Sequence, residues 1–168
     1  GVTGSSFSYG ALFFDKNNDG IQDLYVVNDY GKNVLYQNKG DGYFAEADSS
    51  LAENGQSMGV TETDIDEDGL LDLYVSNMYS KAGNRIVPLA EKKLKKSTYQ
   101  ELLTVAKGNS AYIQEDDGSF REDADQLGIA KAGWAWGHSF FDVDLDGSKE
   151  LLVLNGNITH SDPQAPDY

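Results

Sequence analysis

The chain contains no cysteine among its 168 residues and no apolar run long enough to cross a membrane. The first absence excludes disulfide bonds, so the fold must depend on side-chain packing and on any metal that it binds. The second predicts that no segment spans a bilayer, because a transmembrane helix needs about 20 predominantly apolar residues. The chain starts at Gly1 rather than methionine and shows no secretory signal, which predicts a processed or trimmed piece.

Basic residues are scarce relative to acidic ones. The chain has 13 lysine and arginine residues against 28 aspartate and glutamate residues, which gives a formal net charge of -15. Such an acidic chain is a poor partner for nucleic acid, and we predict that it binds none. Eleven of the acidic residues occupy equivalent positions in three short segments, so three bound divalent cations would reduce the charge of -15 to -9.

These three segments are residues 15–23 (DKNNDGIQD), 64–72 (DIDEDGLLD) and 142–150 (DVDLDGSKE). Each has oxygen-bearing side chains at positions one, three, five and nine and glycine at position six. Carboxylates this close repel one another at neutral pH, so the pattern favours a hard cation among them. Glycine permits the tight turn, and position seven would supply a backbone carbonyl. We predict up to three Ca²⁺ sites. The predicted ligands are Asp15, Asn17, Asp19, Ile21 and Asp23; Asp64, Asp66, Asp68, Leu70 and Asp72; and Asp142, Asp144, Asp146, Ser148 and Glu150.

Two other types of loop share part of this pattern. Acidic β-turns without metal would also use Asp, Asn and Gly, but three copies at the same position relative to their flanking strands favour calcium. An EF-hand needs a bidentate glutamate at position twelve and flanking helices, whereas position twelve is Val26, Val75 or Val153. The middle segment is predicted to bind calcium most tightly, because position three of the first is Asn17 and the third ends in the longer Glu150.

The residues around the acidic segments also repeat. A glycine stands five residues before each segment and follows a large apolar residue, which is Tyr9, Met58 or Trp136. A short apolar strand ending in asparagine follows each segment, so each is predicted to join two strands as a hairpin. Asp-Gly turns at 39–42 and 116–118 predict a second hairpin after each of the first two.

Two successive hairpins make a four-stranded antiparallel unit, the size of one β-propeller blade. The predicted fold is therefore all-β with a small helical insertion, forming about two and a half blades of a β-propeller. Residues 1–168 are predicted to form a single propeller segment, with blade-like repeats at about 5–52, 53–127 and 128–160. Two and a half blades cannot close a propeller, so the open edges are predicted to be covered by further repeats or by self-association.

The helical insertion is predicted at about residues 80–108. Pro88 is expected to open one short helix, and Ser97 or Thr98 followed by Glu101 resembles a capping box for a second helix that stops at Gly108. Residues 81–107 hold seven of the 13 basic residues and two of the 28 acidic ones. The default interpretation is a solvated basic face, and the alternatives are binding to an acidic partner or packing against the acidic body.

Four aromatic side chains near the third segment are predicted to share one face of a strand: Trp134, Trp136, His138 and Phe140. We interpret the tryptophans as core packing between blades, with a sugar-stacking platform as the alternative. His138 aligns with small apolar residues in the other copies, which indicates a hydrogen-bonded structural histidine rather than a catalytic one. His160 and the glycosylation sequon at 157–159 carry little weight.

With residues 133–137 (GWAWG) before the third segment and the Asn-Gly pair at 155–156, the three acidic segments resemble the FG-GAP or VCBS repeat of integrin α-subunit-type β-propellers. Within that group the chain is most similar to the cartilage acidic protein-like family that carries ASPIC/UnbV domains. The Gly-Ala-Pro of the integrin version and an ASPIC segment are both absent from it. The resemblance implies a seven- or eight-bladed propeller that is secreted, periplasmic or on the cell surface, where calcium fills such loops.

The predicted function is that of a calcium-binding extracytoplasmic propeller segment that acts as a binding, adhesion or scaffolding module. Its ligand would be a protein or a glycan that the sequence does not identify. The alternative is part of a calcium-dependent hydrolase or lyase that acts on polysaccharide or phosphoester. Because the sequence has no evident nucleophile, base and orienting residue in one motif, a non-enzymatic role is favoured.

Overall fold

The computed structural model of the protein describes residues 2, 4, 6–47, 50–53 and 56–155. Within them the chain forms ten β-strands, two α-helices and one 3-10 helix. His160, the 157–159 sequon and the end of the third predicted repeat lie outside the described residues. The strands are β1 (Phe7–Phe14), β2 (Asp23–Tyr30), β3 (Val34–Asn38), β4 (Phe44–Ala47), β5 (Ser57–Thr63), β6 (Asp72–Asn77), β7 (Ser110–Gln114), β8 (Phe120–Glu122), β9 (Ala135–Phe141) and β10 (Glu150–Asn155).

The strands form three antiparallel sheets. The first blade has the order β1-β2-β3-β4, the second has the order β5-β6-β7-β8, and β9 pairs with β10 in a two-stranded sheet. In both blades an acidic segment joins the first two strands and an Asp-Gly turn joins the last two. The predicted all-β fold of four-stranded antiparallel blades with a helical insertion is thereby confirmed.

The large apolar residue before each glycine is the extra residue of a β-bulge. In the first blade Ser8 pairs with Asn28 and Gly10 with Val27, which leaves Tyr9 without an opposite residue. The second blade and the two-stranded sheet have the same irregularity at Met58 and Trp136. A bulge bends its strand and increases the local twist, so the repeated motif encodes strand curvature.

The bulge at Trp136 overturns the prediction that four aromatic residues share one face. Side chains alternate along a regular strand, but the extra residue interrupts this alternation. His138 and Phe140 contact the ring of Tyr74 edge-on, with centroids 4.9 and 5.6 Å away, whereas Trp136 is half exposed.

Two apolar layers hold the three sheets together. The first lies between the two blades and includes Phe14, Tyr25, Leu35, Leu73 and Tyr112. The second lies between the second blade and the two-stranded sheet, and it is built on Tyr74 and Ala111 with the partly buried Phe140, Leu151 and Val153 packed against them. The second blade therefore contributes opposite faces of one sheet to two cores.

Equivalent tyrosines fix the segment that leads out of each blade. Tyr25 and Tyr74 are fully buried, and their hydroxyls donate to the carbonyls of Leu51 at 2.6 Å and Ile129 at 2.9 Å. Burial raises the pKa of Tyr74 to about 12 and raises the pKa of Tyr25 further. Both phenols therefore stay protonated and act as buried hydrogen-bond donors.

The helical insertion consists of α1 (Lys81–Ile86), a 3-10 helix (Val87–Lys93) and α2 (Lys96–Lys107). Pro88 stands in the first turn of the 3-10 helix as predicted, and α2 stops at Gly108 as predicted. The capping box at Ser97 or Thr98 is wrong, because Leu94 and Lys95 are extended and α2 already begins at Lys96. Helix α1 was not predicted from the sequence; the side chain of Ser80 caps it by accepting from the N–H of Gly83 at 2.9 Å.

The insertion connects β6 to β7 and therefore lies at the end of the second blade opposite its acidic segment, which connects β5 to β6. Its three helices pack against one another rather than extensively against a described strand. In the part of the chain that the structure describes, no helix has the length and apolar character needed to cross a membrane.

Candidate metal centres

The three acidic segments fold into the same loop. The carboxylate at position one accepts hydrogen bonds from the backbone N–H groups of positions five and six, at distances between 2.7 and 3.1 Å. These carboxylates belong to Asp15, Asp64 and Asp142. The carboxylate at position five accepts from the N–H of position seven at 2.8 or 2.9 Å in every copy. The carboxylates therefore stabilise the loop conformation through hydrogen bonds, in addition to giving the loop its negative charge.

Two positions in each loop have left-handed backbone conformations. Position six is glycine, as the sequence predicts, with φ between 82° and 100°. Position four is also left-handed, at Asn18, Glu67 and Leu145, with φ between 55° and 64°. A left-handed leucine is strained by about 1–2 kcal/mol. The loop conformation is thus retained even where the residue type opposes it. The left-handed backbone at position four was not predicted, because the three copies have different residue types there.

The middle loop brings together the carboxylates of Asp64, Asp66 and Asp72, with oxygens within 4.8 Å of one another. Asp72 is fully buried and accepts from the N–H groups of Gln114 at 2.8 Å and Ile65 at 2.7 Å. Burial raises the pKa of Asp72, and the nearby Asp66 and Asp68 raise it further, while the two hydrogen bonds oppose this rise. A cation among these oxygens would instead favour the ionised form.

The third loop brings together Asp142, Asp144 and Asp146 within the same 4.8 Å limit. Its position nine, Glu150, accepts from the N–H of Val143 at 2.7 Å, as Asp72 does from Ile65 in the middle loop. Glu150 is exposed, whereas Asp72 is buried. The second and third loops therefore gather their carboxylates from different positions: one, three and nine in the middle loop, and one, three and five in the third.

The first loop has a different set of contacts. The side-chain amide of Asn17 donates to Oδ2 of Asp19 at 3.0 Å. Asp23 is 3% exposed, and its Oδ1 accepts from the N–H of Asn38 at 2.7 Å, while its Oδ2 is buried without a described hydrogen-bond partner. A buried carboxylate oxygen without a partner is costly, and a cation in this loop would satisfy it.

Six of the fifteen predicted ligands thus lie in two compact carboxylate groups. Calcium prefers six to eight oxygen ligands, so each group would need backbone carbonyls and water as well. The remaining predicted ligands stay predictions, including the carbonyls of Ile21, Leu70 and Ser148. Valines at position twelve lie inside β2, β6 and β10, which agrees with the exclusion of an EF-hand.

The structure adds contacts between the loops and neighbouring sheets that the sequence analysis missed. Lys16, in the first loop, donates from Nζ to the carbonyl of Gly118 at 3.3 Å, and its own carbonyl accepts from the side chain of Gln114 at 3.0 Å. Lys149, in the third loop, donates to Oγ1 of Thr63 at 2.9 Å. No local sequence signal encodes these contacts, because they depend on how the blades pack.

His138 lies between sheets rather than in a reactive site. Burial lowers its pKa to about 4, and the backbone of Tyr74 opposes this shift only in part. These surroundings fit a structural histidine rather than a catalytic one. It is a neutral ring packed against Tyr74, in the environment that small apolar residues occupy in the other copies.

Trp134 and Trp136 stack on each other, with ring centroids 6.5 Å apart and an angle of 13° between the rings. Both are exposed. Among the described residues no element covers the outer face of the two-stranded sheet, so the packing of the two tryptophans in a core between blades stays a prediction.

A family model described as an FG-GAP-like repeat matches residues 15–75. The match begins at the first residue of the first loop and ends inside β6, so it includes two of the three candidate metal centres. Searches of curated proteins and of solved structures find no match to the chain. Residues 15–75 are thus similar to FG-GAP-like repeats.

Proposed function

We propose that this protein is a calcium-stabilised β-propeller segment in which each acidic loop binds one Ca²⁺. The observation that carries the proposal is the identical loop conformation in three copies, with carboxylates converging in two of them and an unpartnered buried oxygen in the third. The match to an FG-GAP-like repeat supports it. Bound calcium would replace repulsion among the acids by attraction to a shared ion.

The resulting rigid array would act as a binding, adhesion or scaffolding module for a protein or glycan, in an extracellular, periplasmic or cell-surface location. Calcium at the loops would fix the hairpins, and the loops would hold neighbouring sheets through Lys16 and Lys149. Loops on a rigid scaffold are the usual recognition elements of such folds. We do not propose a catalytic role, because the buried His138 contacts aromatic rings.

Two open faces support the interpretation as a segment of a larger array. Phe13 is exposed on the side of the first blade that points away from the second, and Leu152 and Leu154 are exposed on the outer face of the two-stranded sheet. In the described structure, the equivalent faces between sheets are covered by a neighbouring sheet. We propose that another blade covers each face, either in the same chain or in a second copy, and light scattering distinguishes these arrangements.

Isothermal titration calorimetry with CaCl₂ tests the metal sites. The expected result is saturable calcium binding that Asp66→Ala weakens by removing the tightest site. Glu67→Gln is the matched control, since it removes a carboxylate from the same loop at a position that is not a predicted ligand. If Asp66→Ala leaves the tightest site unchanged, the assignment of the middle loop is wrong, and absence of any binding by the wild type rejects all three sites.

A further inference from the structure

The insertion carries a charge opposite to that of the blades. Residues 81–107 contain seven basic and two acidic residues, a formal charge of +5, whereas the rest of the chain has six basic and 26 acidic residues, a formal charge of -20. Four of the lysines lie within five residues, at Lys92, Lys93, Lys95 and Lys96, and all four are exposed. We call these four residues the lysine cluster.

The lysine cluster is not neutralised by the protein itself. In the described parts of the chain, ion pairs involve Lys107, Arg121 and Lys131, and none involves a member of the cluster. Among the ion pairs of the described residues, those of Lys107 join the insertion to the acidic body, through Glu122 at 2.6 Å and Glu53 at 3.4 Å. The structure thus leaves the cluster free for an external anion.

Half of the cluster is unfavourably placed, whereas Lys92 and Lys93 lie in the last turn of the 3-10 helix, where cations are favourable. Lys95 and Lys96 are the N-cap and first residue of α2, and no acidic residue lies in its first turn. The helix dipole disfavours cations at this end. An external anionic partner would compensate for this unfavourable placement.

Exposed apolar side chains accompany the lysines. Leu89 is 79% exposed and Ile86 is 56% exposed, and both lie in the helical stretch just before the cluster. Basic residues with adjacent exposed leucine or isoleucine are typical of surfaces that bind at the boundary between anionic headgroups and acyl chains. A polysaccharide chain would engage the lysines but would gain little from the aliphatic side chains.

The fold also separates this surface from the acidic loops. The insertion and the loop of the second blade lie at opposite ends of β6, whose six residues span about 20 Å. The Debye length at physiological ionic strength is about 8 Å, so charges on the loops are largely screened at the far end. A membrane could therefore approach the insertion without strong repulsion from the loops.

We propose that the lysine cluster with Ile86 and Leu89 docks the protein peripherally on an anionic phospholipid bilayer. This docking is independent of calcium at the loops, which point away from the bilayer in this orientation. Each lysine near an anionic surface contributes roughly a fivefold increase in binding, the equivalent of about 1 kcal/mol.

Vesicle flotation of the full chain tests the proposal. Vesicles of phosphatidylcholine alone are compared with vesicles containing roughly 30 mol% phosphatidylglycerol, in EGTA and in calcium, at about 0.1 M salt. The expected result is partition onto the anionic vesicles in both conditions and little onto the neutral ones. Replacing the four cluster lysines by glutamine should lower partition by at least about 100-fold, and replacing only Lys92 and Lys93 by about 25-fold.

A matched control replaces Lys39 by glutamine, because this exposed lysine lies in the β3–β4 turn, at the same end of its blade as the acidic segment. It should lower partition by less than about twofold, whereas Lys92→Gln should lower it about fivefold. Leu89→Gln should lower vesicle partition by about tenfold without changing retention on heparin. Thermal melts establish that each variant is folded. The proposal would be overturned if the wild type did not partition onto anionic vesicles, or if partition survived loss of the lysine cluster. It would also be overturned if Leu89→Gln partitioned as well as the wild type and the wild type bound heparin more strongly than anionic vesicles.

Discussion

The backbone N–H of Asn77 donates to Oδ1 of Asn109 at 2.8 Å, although the whole helical insertion lies between them. In the first blade, Asn28 donates to Asn33 in the same way at 2.9 Å across a short turn. The side chain of the first asparagine also donates to the carbonyl preceding the second in both blades, at Lys32 and at Gly108. The insertion therefore extends a blade turn while preserving its hydrogen bonds.

Excision of the insertion should leave the second blade folded. Tyr79 and Lys107 form an antiparallel bridge, so replacing residues 80–106 by Asn-Gly would close a tight hairpin between them. Because Asn77, Lys107 and Asn109 remain, the expected loss of stability is below about 2 kcal/mol, measured by urea unfolding. Loss of cooperative unfolding would show that the insertion is part of the folding unit.

Asp23→Asn should have opposite effects with and without calcium. In EGTA it removes a buried carboxylate with an unpartnered oxygen. We therefore expect the free energy of unfolding to increase by about 1 kcal/mol, which raises the melting temperature by a few degrees. In calcium it removes a ligand, so the gain in melting temperature on adding calcium should shrink. The isosteric amide retains an oxygen for the N–H of Asn38. A lower melting temperature in both conditions would contradict the assignment of this residue to a cation site.

The neutral His138 predicts a pH dependence of stability. Its folded pKa of about 4 lies below the unfolded value of 6.5, so protonation favours the unfolded chain. The associated stability is complete above pH 6.5 and is lost as the pH falls towards 4, by about 2 kcal/mol after allowance for partial exposure. His138→Phe should lack this component, as measured by urea unfolding in EGTA at several pH values. If the variant and the wild type had identical pH profiles of stability, His138 would not be the source of this pH dependence.

Tyr74→Phe should destabilise the protein by about 1–3 kcal/mol, because the carbonyl of Ile129 loses its hydroxyl donor and the side-chain amide N–H of Asn109 loses its acceptor. The melting temperature should fall by about 2–4 °C for each kcal/mol. Tyr43→Phe is the matched control at an exposed tyrosine, with an expected change below about 0.5 kcal/mol. Equal effects of the two substitutions would show that the buried hydroxyl contributes nothing.

The parts of the fold that depend on local patterns were predictable. Short apolar runs beginning at Leu24 and Leu73 located the strands, and Gly20 and Gly69 located the loop turns, because apolar composition and glycine geometry are local properties. The unpartnered oxygen of Asp23 and the contacts of Lys16 depend on packing between blades, so the sequence did not reveal them. The bulge at Trp136 was visible as a repeated motif, but its effect on side-chain direction required the strand register.

In the candidate metal centres, too, the features that depend on local sequence were predictable and the others were not. Asp64 and Asp66 were predictable as close neighbours because they lie two residues apart in a tight loop. The left-handed Leu145 was not, because residue type opposes that conformation. The insertion was evident from its composition, but the cap at Ser80 was missed because Gly83 stands three residues later, where a capping box has glutamate.

The central claim is that calcium in the three loops holds the shape of the blades, and the melting temperature in calcium against EGTA tests it most directly. Three sites occupied at about 100 times their dissociation constants would each contribute about 2.7 kcal/mol. The account predicts that the melting temperature rises by about 10 °C or more in calcium, and that Glu67→Gln retains this rise while Asp66→Ala reduces it. A melting temperature unchanged by chelation would contradict the claim.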